Sequence, residues 1–134
     1  MARTLGLDVG DRRIGVALSD PQGILASPST IIERRYDATD VQRIMDLATR
    51  NAVDKIIVGL PVSMDGTIGA QAEKVETFTR ELRKQAQVPV EFRDERLSTV
   101  SAKRLKAAGS KNRKLHHDAM AAAVVLQSYL DESR

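Results

Sequence analysis

Asp8, Glu95 and Asp118 are the side chains in this 134-residue chain whose types and positions could do chemistry. Asp8 lies in Thr4–Asp20, where Leu5, Leu7 and Val9 alternate with Gly6 and Asp8, and Ile14, Val16 and Leu18 resume the period of two after Gly10–Arg13. Alternation puts the Asp8 carboxylate on the strand face opposite its apolar neighbours. Burying such a charge unpaired costs several kcal/mol, so Asp8 needs a partner. An ion pair with Arg12 or Arg13 is one answer. The other is a cation shared with further carboxylates. Glu95 follows the last predicted strand, and Asp118 opens the last predicted helix, where the helix dipole favours a carboxylate and a capping role would be enough. Two like charges about 4 Å apart repel by roughly 4 kcal/mol at an effective dielectric near 20, so the three acids either stay apart or enclose a cation. Ligation by carboxylates and water suits a hard ion, Mg²⁺ or Mn²⁺, and not zinc or copper. Two such ions can activate a water on one side of a phosphodiester and steady the departing oxygen on the other.

Composition narrows the field. The chain has no cysteine, which excludes disulfides, thiol catalysis and cysteine-held zinc or iron–sulfur clusters, and its histidines are His116 and His117. No run approaches the roughly 18 apolar residues of a membrane span. Arg3 leads directly into a strand with no signal-peptide pattern, so a cytoplasmic protein without a membrane partner is expected. The overall charge is +3, yet Arg93–His117 carries eight Lys/Arg against Asp94 and Glu95, a local +6 that leaves −3 for the remainder. A basic segment in an otherwise slightly acidic domain is the footprint of a polyanion site, or else a solvated helix face. Aromatic residues make up 3% and there is no Trp, so nucleic acid would be held by its phosphates and not by stacking on an aromatic platform. Arg13, Arg96, Lys103, Arg104, Lys106, Lys111, Arg113 and Lys114 are the candidate phosphate contacts, with Arg96 equally able to pair with an acid beside Glu95.

The elements that must position these groups follow from periodicity. After the first two strands, Pro21-Gln22-Gly23 turns the chain into a third extended segment, Ile24–Glu33, which Pro28 marks as an edge strand. Asp37 or Thr39 is placed to cap a helix with Val41, Ile44, Met45 and Ala48 on one face. Lys55–Val58 reads as a strand covered on both faces, ended by Gly59-Leu60-Pro61. Gly59–Pro61 is either a simple terminating turn or a close backbone approach to phosphate, and Asp65-Gly66 is a turn. A second helix is predicted from about Ile68 to Gln85, with Ile68, Ala72, Val75, Phe78 and Leu82 buried. Val88–Phe92 is the fifth strand. Ser98 or Thr99 opens a basic helix that stops at Gly109, Ser110–Leu115 is a loop, and a buried helix runs from about His116 to Leu130. Three antiparallel strands followed by strand–helix repeats predict one α/β domain over residues 1–134, a mixed five-stranded sheet with helices on both faces. The first and fourth strands should be parallel neighbours, so that the carboxyl ends of the first, fourth and fifth strands meet at one edge, where open α/β sheets place ligands.

Several stretches taken in order resemble the YqgF/RuvX family. They are Asp8-Val9-Gly10 with Arg13-Ile14-Gly15-Val16-Ala17, Val58-Gly59-Leu60-Pro61 with Met64-Asp65-Gly66-Thr67, Asp94-Glu95-Arg96-Leu97-Ser98-Thr99, and Asp118-Ala119 running into Ala121–Gln127. That family is bacterial and RNase H-like, and its members are described as Holliday junction resolvases or as the nuclease that matures the 5′ end of the small-subunit (16S) ribosomal RNA precursor. The resemblance implies that Asp8, Glu95 and Asp118 stand at the family's acidic site positions as catalytic residues and ligands of Mg²⁺ or Mn²⁺. It implies structured nucleic acid, pre-rRNA or junction DNA, as the substrate. Junction resolution needs two matched cuts and so favours a symmetric homodimer. The departure is His116-His117 ahead of Asp118, where an aliphatic residue is expected. His117 is either a solvent-facing substitution or a proton carrier. Two other readings compete with the nuclease. Actin-like sugar kinases and ATPases open with a similar Asp-x-Gly turn but are two-lobed and much longer. An RNA- or ribosome-binding assembly factor on the same fold would use the basic segment and ask nothing of the acids.

Overall fold

The computed structural model describes residues 2–98 and 116–133. Strands β1 (Arg3–Val9), β2 (Arg13–Ser19) and β3 (Ala26–Glu33) are followed by helix α1 (Asp37–Arg50), β4 (Val53–Leu60), α2 (Ala70–Gln85) and β5 (Val90–Asp94). A single 3₁₀ turn at Glu95–Ser98 comes next, and after the undescribed stretch the helix α3 (His116–Glu132). The sheet order is β3-β2-β1-β4-β5. β2 is antiparallel to both β1 and β3, while β4 runs parallel to β1 and β5 parallel to β4. The mixed five-stranded α/β sheet expected from the sequence is therefore present. Its first and fourth strands are parallel neighbours.

Strand alternation divides the interior into two unequal cores. Leu5, Leu7 and Val9 of β1 join Ile14, Val16, Ile56 and Val58 on the face covered by α1 and α2, against Val41, Ile44, Val75, Phe78 and Leu82. Side chains of this size contribute about 1.5–3 kcal/mol each when fully buried, so this face carries most of the hydrophobic stabilisation. The other face is built from small residues. Ala17, Ala26 and Ile57 meet Ala122, Ala123, Val125 and Leu126 of α3. Gly6 lies directly beneath α3, where a Cβ would press on Leu126 Cβ at 2.8 Å and on the Ala122 carbonyl at 3.1 Å. The sheet admits α3 this closely because glycine and alanine stand where larger side chains would hold it off. Gln127, 1% exposed, locks α3 to the β2–β3 connection, accepting from Ala26 N–H at 2.8 Å and donating to the Ile24 carbonyl at 2.9 Å.

Some boundaries differ from the sequence reading for local reasons. Tyr36 is the residue before α1 and no side chain caps the helix. Asp37 instead pairs with Arg34 at 2.7 Å, and Asp37 and Asp40 complement the helix dipole from within the first turn. α2 starts at Ala70 after Gly69, leaving Ile68 outside the helix and 44% exposed, whereas Ala72, Val75, Phe78 and Leu82 form the buried stripe as expected. β5 begins at Val90 because Pro89 has no N–H to donate, although its carbonyl accepts from Ile56 N–H at 2.9 Å. β3 is an edge strand, and its register with β2 shifts between the pairs Val16–Thr30 and Ala17–Pro28, next to the proline that predicted the edge. The basic helix predicted to end at Gly109 and the Ser110–Leu115 loop lie outside the described residues. Among the described residues no helix is long and apolar enough to cross a membrane.

Candidate active site

Parallel pairing of β1 with β4 and of β4 with β5 brings three strand ends to one edge. Leu7 pairs with Val58, so Asp8 and Gly59 are next along their strands, and Leu60 pairs with Asp94, immediately before Glu95. Asp8 points to the α3 face, the side that Gly6 shares. It faces Gly15 across the β1–β2 ladder.

Glu95 reaches Asp8 across the width of β4 through a slot that Gly59 leaves open. A Cβ on Gly59 would lie 2.7 Å from Glu95 Oε1 and 3.2 Å from its Cγ. Any larger residue would push the carboxyl away. Gly59 lies within β4, not in a turn after it, and its missing side chain is what lets two acids from separate strands meet. Gly15 does the same for the third acid. A Cβ there would collide with the Asp118 carbonyl, so glycine lets the first turn of α3 settle onto β2 beside Asp8. Sequence reasoning left both glycines without these roles. The signal was present: glycine inside a strand weakens it and commonly marks a close backbone approach.

The Asp8 and Glu95 carboxyls lie within hydrogen-bonding reach of each other, an arrangement that is favourable when one of them holds a proton. Burial pushes the Glu95 carboxyl up to about 7, and the Asp8 hydrogen bond and the charges of Asp8 and Asp94 act in the same direction. The Asp8 carboxyl is also raised. Burial is the main cause, the Glu95 hydrogen bond opposes it, and the Asp118 charge adds to it. Thus neither Arg12 nor Arg13 is the partner of Asp8. Its partner is another acid.

Asp118 is close enough for its charge to act on Asp8. Among the described residues it forms an ion pair with Arg13, with Nη1 3.7 Å from Oδ2, in a pair whose side chains are 57% and 37% exposed. Among the described residues no group of three or more His, Cys, Asp or Glu side chains gathers closely enough to hold a metal ion. Asp8 and Glu95 are thus brought together and Asp118 stands beside them, turned toward Arg13. Arg96 pairs with Asp94 at 2.6 Å and donates to the carbonyls of Ser63 at 3.4 Å and Met64 at 3.2 Å. It fastens the loop after β4 to the turn that carries Glu95. The same guanidinium holds the Asp94 carboxyl below the usual carboxylate range. The Asp65-Gly66 turn is present, with Gly66 at φ 87° and Asp65 accepting from Thr67 N–H at 3.0 Å. Lys103, Arg104, Lys106, Lys111, Arg113 and Lys114 lie outside the described residues, as do the side chains of His116 and His117.

A five-stranded sheet of this order, with α1 and α2 on one face and α3 on the other, is an RNase H-like fold, and it carries one acid on β1, a second at the end of β5 and a third at the start of α3. Thermus thermophilus RuvC in complex with Holliday junction substrate has the same fold, with a TM-score of 0.74 at 13% identity over 100% of this chain and 96% of that one. The family model described as "RuvX: Holliday junction resolvase" matches residues 2–132, and this chain belongs to that family. Its relatives include a "Putative pre-16S rRNA nuclease" of Dehalococcoides mccartyi, 49% identical over 93% of this chain and 95% of the relative. A protein of the same name from Caldanaerobacter subterraneus is 44% identical over 98% of each chain.

Proposed function

We propose that this chain hydrolyses phosphodiester bonds in structured nucleic acid at the edge where Asp8, Glu95 and Asp118 stand. The substrate would be precursor 16S rRNA, matured at its 5′ end, or a four-way DNA junction. Mg²⁺ or Mn²⁺ would be the cofactor. The observation that carries this reading is the Asp8–Glu95 pair. Burial raises both carboxyls, and the two meet over Gly59; a hard cation between them would offset their repulsion and accept ligation from both. The donor chemistry suits such an ion, acid oxygens with no sulfur in the chain's ionisable groups, although of the three acids only Asp8 and Glu95 are together and Asp118 is turned toward Arg13.

When bound, the ions supply hydroxide from water and neutralise the departing oxygen of the phosphodiester. The protein residues do the rest. Asp8 and Glu95, both deprotonated, would hold the ions, and Asp118 would add a third carboxylate. Arg96 fixes the Glu95 turn to the loop after β4. The basic residues between Lys103 and Lys114, with Arg13, would hold the phosphate backbone. A factor that merely bound RNA or ribosomes would gain nothing from two acids crowded together at a cost in stability, which favours catalysis over that alternative.

The test presents the purified protein, with Mg²⁺ or Mn²⁺, to labelled four-way junction DNA and to precursor 16S rRNA side by side, with Asp8→Asn as the control. Cleavage of one substrate that disappears in Asp8→Asn, while nucleic-acid binding stays within about twofold, supports the assignment. Full cleavage by Asp8→Asn refutes it.

A further inference from the structure

Arg13 and Asp118 form a loose ion pair held between two rigid backbones. The Gly10–Arg13 turn is closed by Gly10 N–H donating to the Arg13 carbonyl at 2.8 Å. It is anchored to the fold by Arg34, whose Nη1 donates to the Gly10 carbonyl at 3.0 Å and whose backbone N–H donates to the Arg12 carbonyl at 2.9 Å. Arg34 is itself held by Asp40, which is 1% exposed, at 3.3 Å. On the other side, the backbone of Asp118 rests against Gly15. Both main chains are thus in contact with the rest of the fold, while the two side chains are 57% and 37% exposed and separated by 3.7 Å, longer than a good charge-assisted hydrogen bond.

We propose that Arg13 is an exchangeable partner of Asp118: it holds this carboxylate away from the Asp8–Glu95 pair until a phosphate of the nucleic acid takes the guanidinium, so that substrate and divalent-cation binding become coupled. This rests on the nuclease reading above and adds to it an order of assembly. Arginine binds phosphate at least as well as it binds carboxylate, in the same forked geometry. An exposed ion pair is weak, so a backbone phosphate can displace Asp118 without disturbing the fold. Once released, Asp118 is free to act on Asp8, whose carboxyl already feels its charge. Linkage then requires reciprocity: nucleic acid tightens cation binding by the same factor by which the cation tightens nucleic-acid binding. The arrangement also keeps the three acids from assembling a complete cation site on an enzyme with no substrate.

The experiment measures Mn²⁺ binding by calorimetry or by the electron paramagnetic resonance signal of the free ion, on the full chain, with no turnover required. Arg13→Gln is expected to bind Mn²⁺ about two- to fivefold more tightly than wild type when nucleic acid is absent. Adding a phosphorothioate oligonucleotide should tighten Mn²⁺ binding to wild type by a similar factor and leave Arg13→Gln nearly unchanged, whereas Arg13→Lys should retain the coupling in part. Removing any positive charge near a cation site raises affinity through the general field, so the deciding comparison is made in an Asp118→Asn background. There Arg13→Gln should have little effect. An equal tightening with and without the Asp118 carboxylate overturns the proposal, as does unchanged affinity in Arg13→Gln, and both leave the nuclease assignment standing. Absence of Mn²⁺ binding in every protein overturns the metal reading together with this inference.

Discussion

Replacing Asp8 by asparagine should make the folded protein more stable at pH 8 while it removes cleavage. In the wild type, burial and the neighbouring acid raise the Glu95 carboxyl from an ordinary 4.5 to about 7, and Asp8 is raised as well. The native state therefore holds more protons than the unfolded chain between about pH 4.5 and 7. Stability falls as pH rises through that window and stays low above it. At 1.36 kcal/mol per tenfold change, the Glu95 rise would correspond to about 3 kcal/mol for a carboxyl shut away from water. Solvent reaches Glu95, and screening reduces this to about 1–2 kcal/mol. In Asp8→Asn the new side-chain amide would donate to the ionised Glu95 carboxylate and add no charge, so most of that penalty disappears. Thermal melts followed by circular dichroism, at pH 5 and pH 8 with EDTA present, should show wild type and Asp8→Asn nearly equal at pH 5. At pH 8 the variant should lead by about 1–2 kcal/mol, roughly 4–8 °C in Tm for a chain of this size. A gap that does not change with pH, or a variant less stable than wild type at pH 8, would refute the idea that the two acids are forced together.

The same geometry makes further predictions. Gly15→Ala drives a Cβ into the Asp118 carbonyl, so it should displace the start of α3, cost about 1–3 kcal/mol in urea unfolding and abolish cleavage. Arg34→Ala leaves Asp40 buried with the Arg35 backbone N–H as its remaining hydrogen-bond donor at 3.2–3.3 Å, and the expected loss is about 3 kcal/mol, seen as a lower urea midpoint with an unchanged slope. Neutralising Lys103, Arg104 and Lys106 together should weaken binding to all nucleic-acid sequences alike. A plot of log K against log salt should become less steep by about 2–3; a slope equal to that of wild type would remove this group from the interface.

Sequence alone determined the order of elements, because strand alternation and helical spacing are local properties read over a few residues. It determined the parallel pairing of the first and fourth strands, since three antiparallel strands followed by strand–helix repeats leave few other chain paths. It also singled out Asp8, Glu95 and Asp118, which carry charge where strands and a helix end. The tertiary structure decided how these acids are neutralised. Asp8 could have paired with Arg12 or Arg13 next to it in the chain, but the slot over Gly59 admits Glu95 instead, and Gly15 seats Asp118 where Arg13 can take it. The start of α2 differs as well: Ile68 fits its apolar stripe by spacing, yet the helix begins only after Gly69 and Ile68 stays exposed in the preceding loop. Periodicity records which face a residue occupies. Which side chains fill the space between two faces depends on glycines whose missing atoms matter only once sheet and helix are in contact.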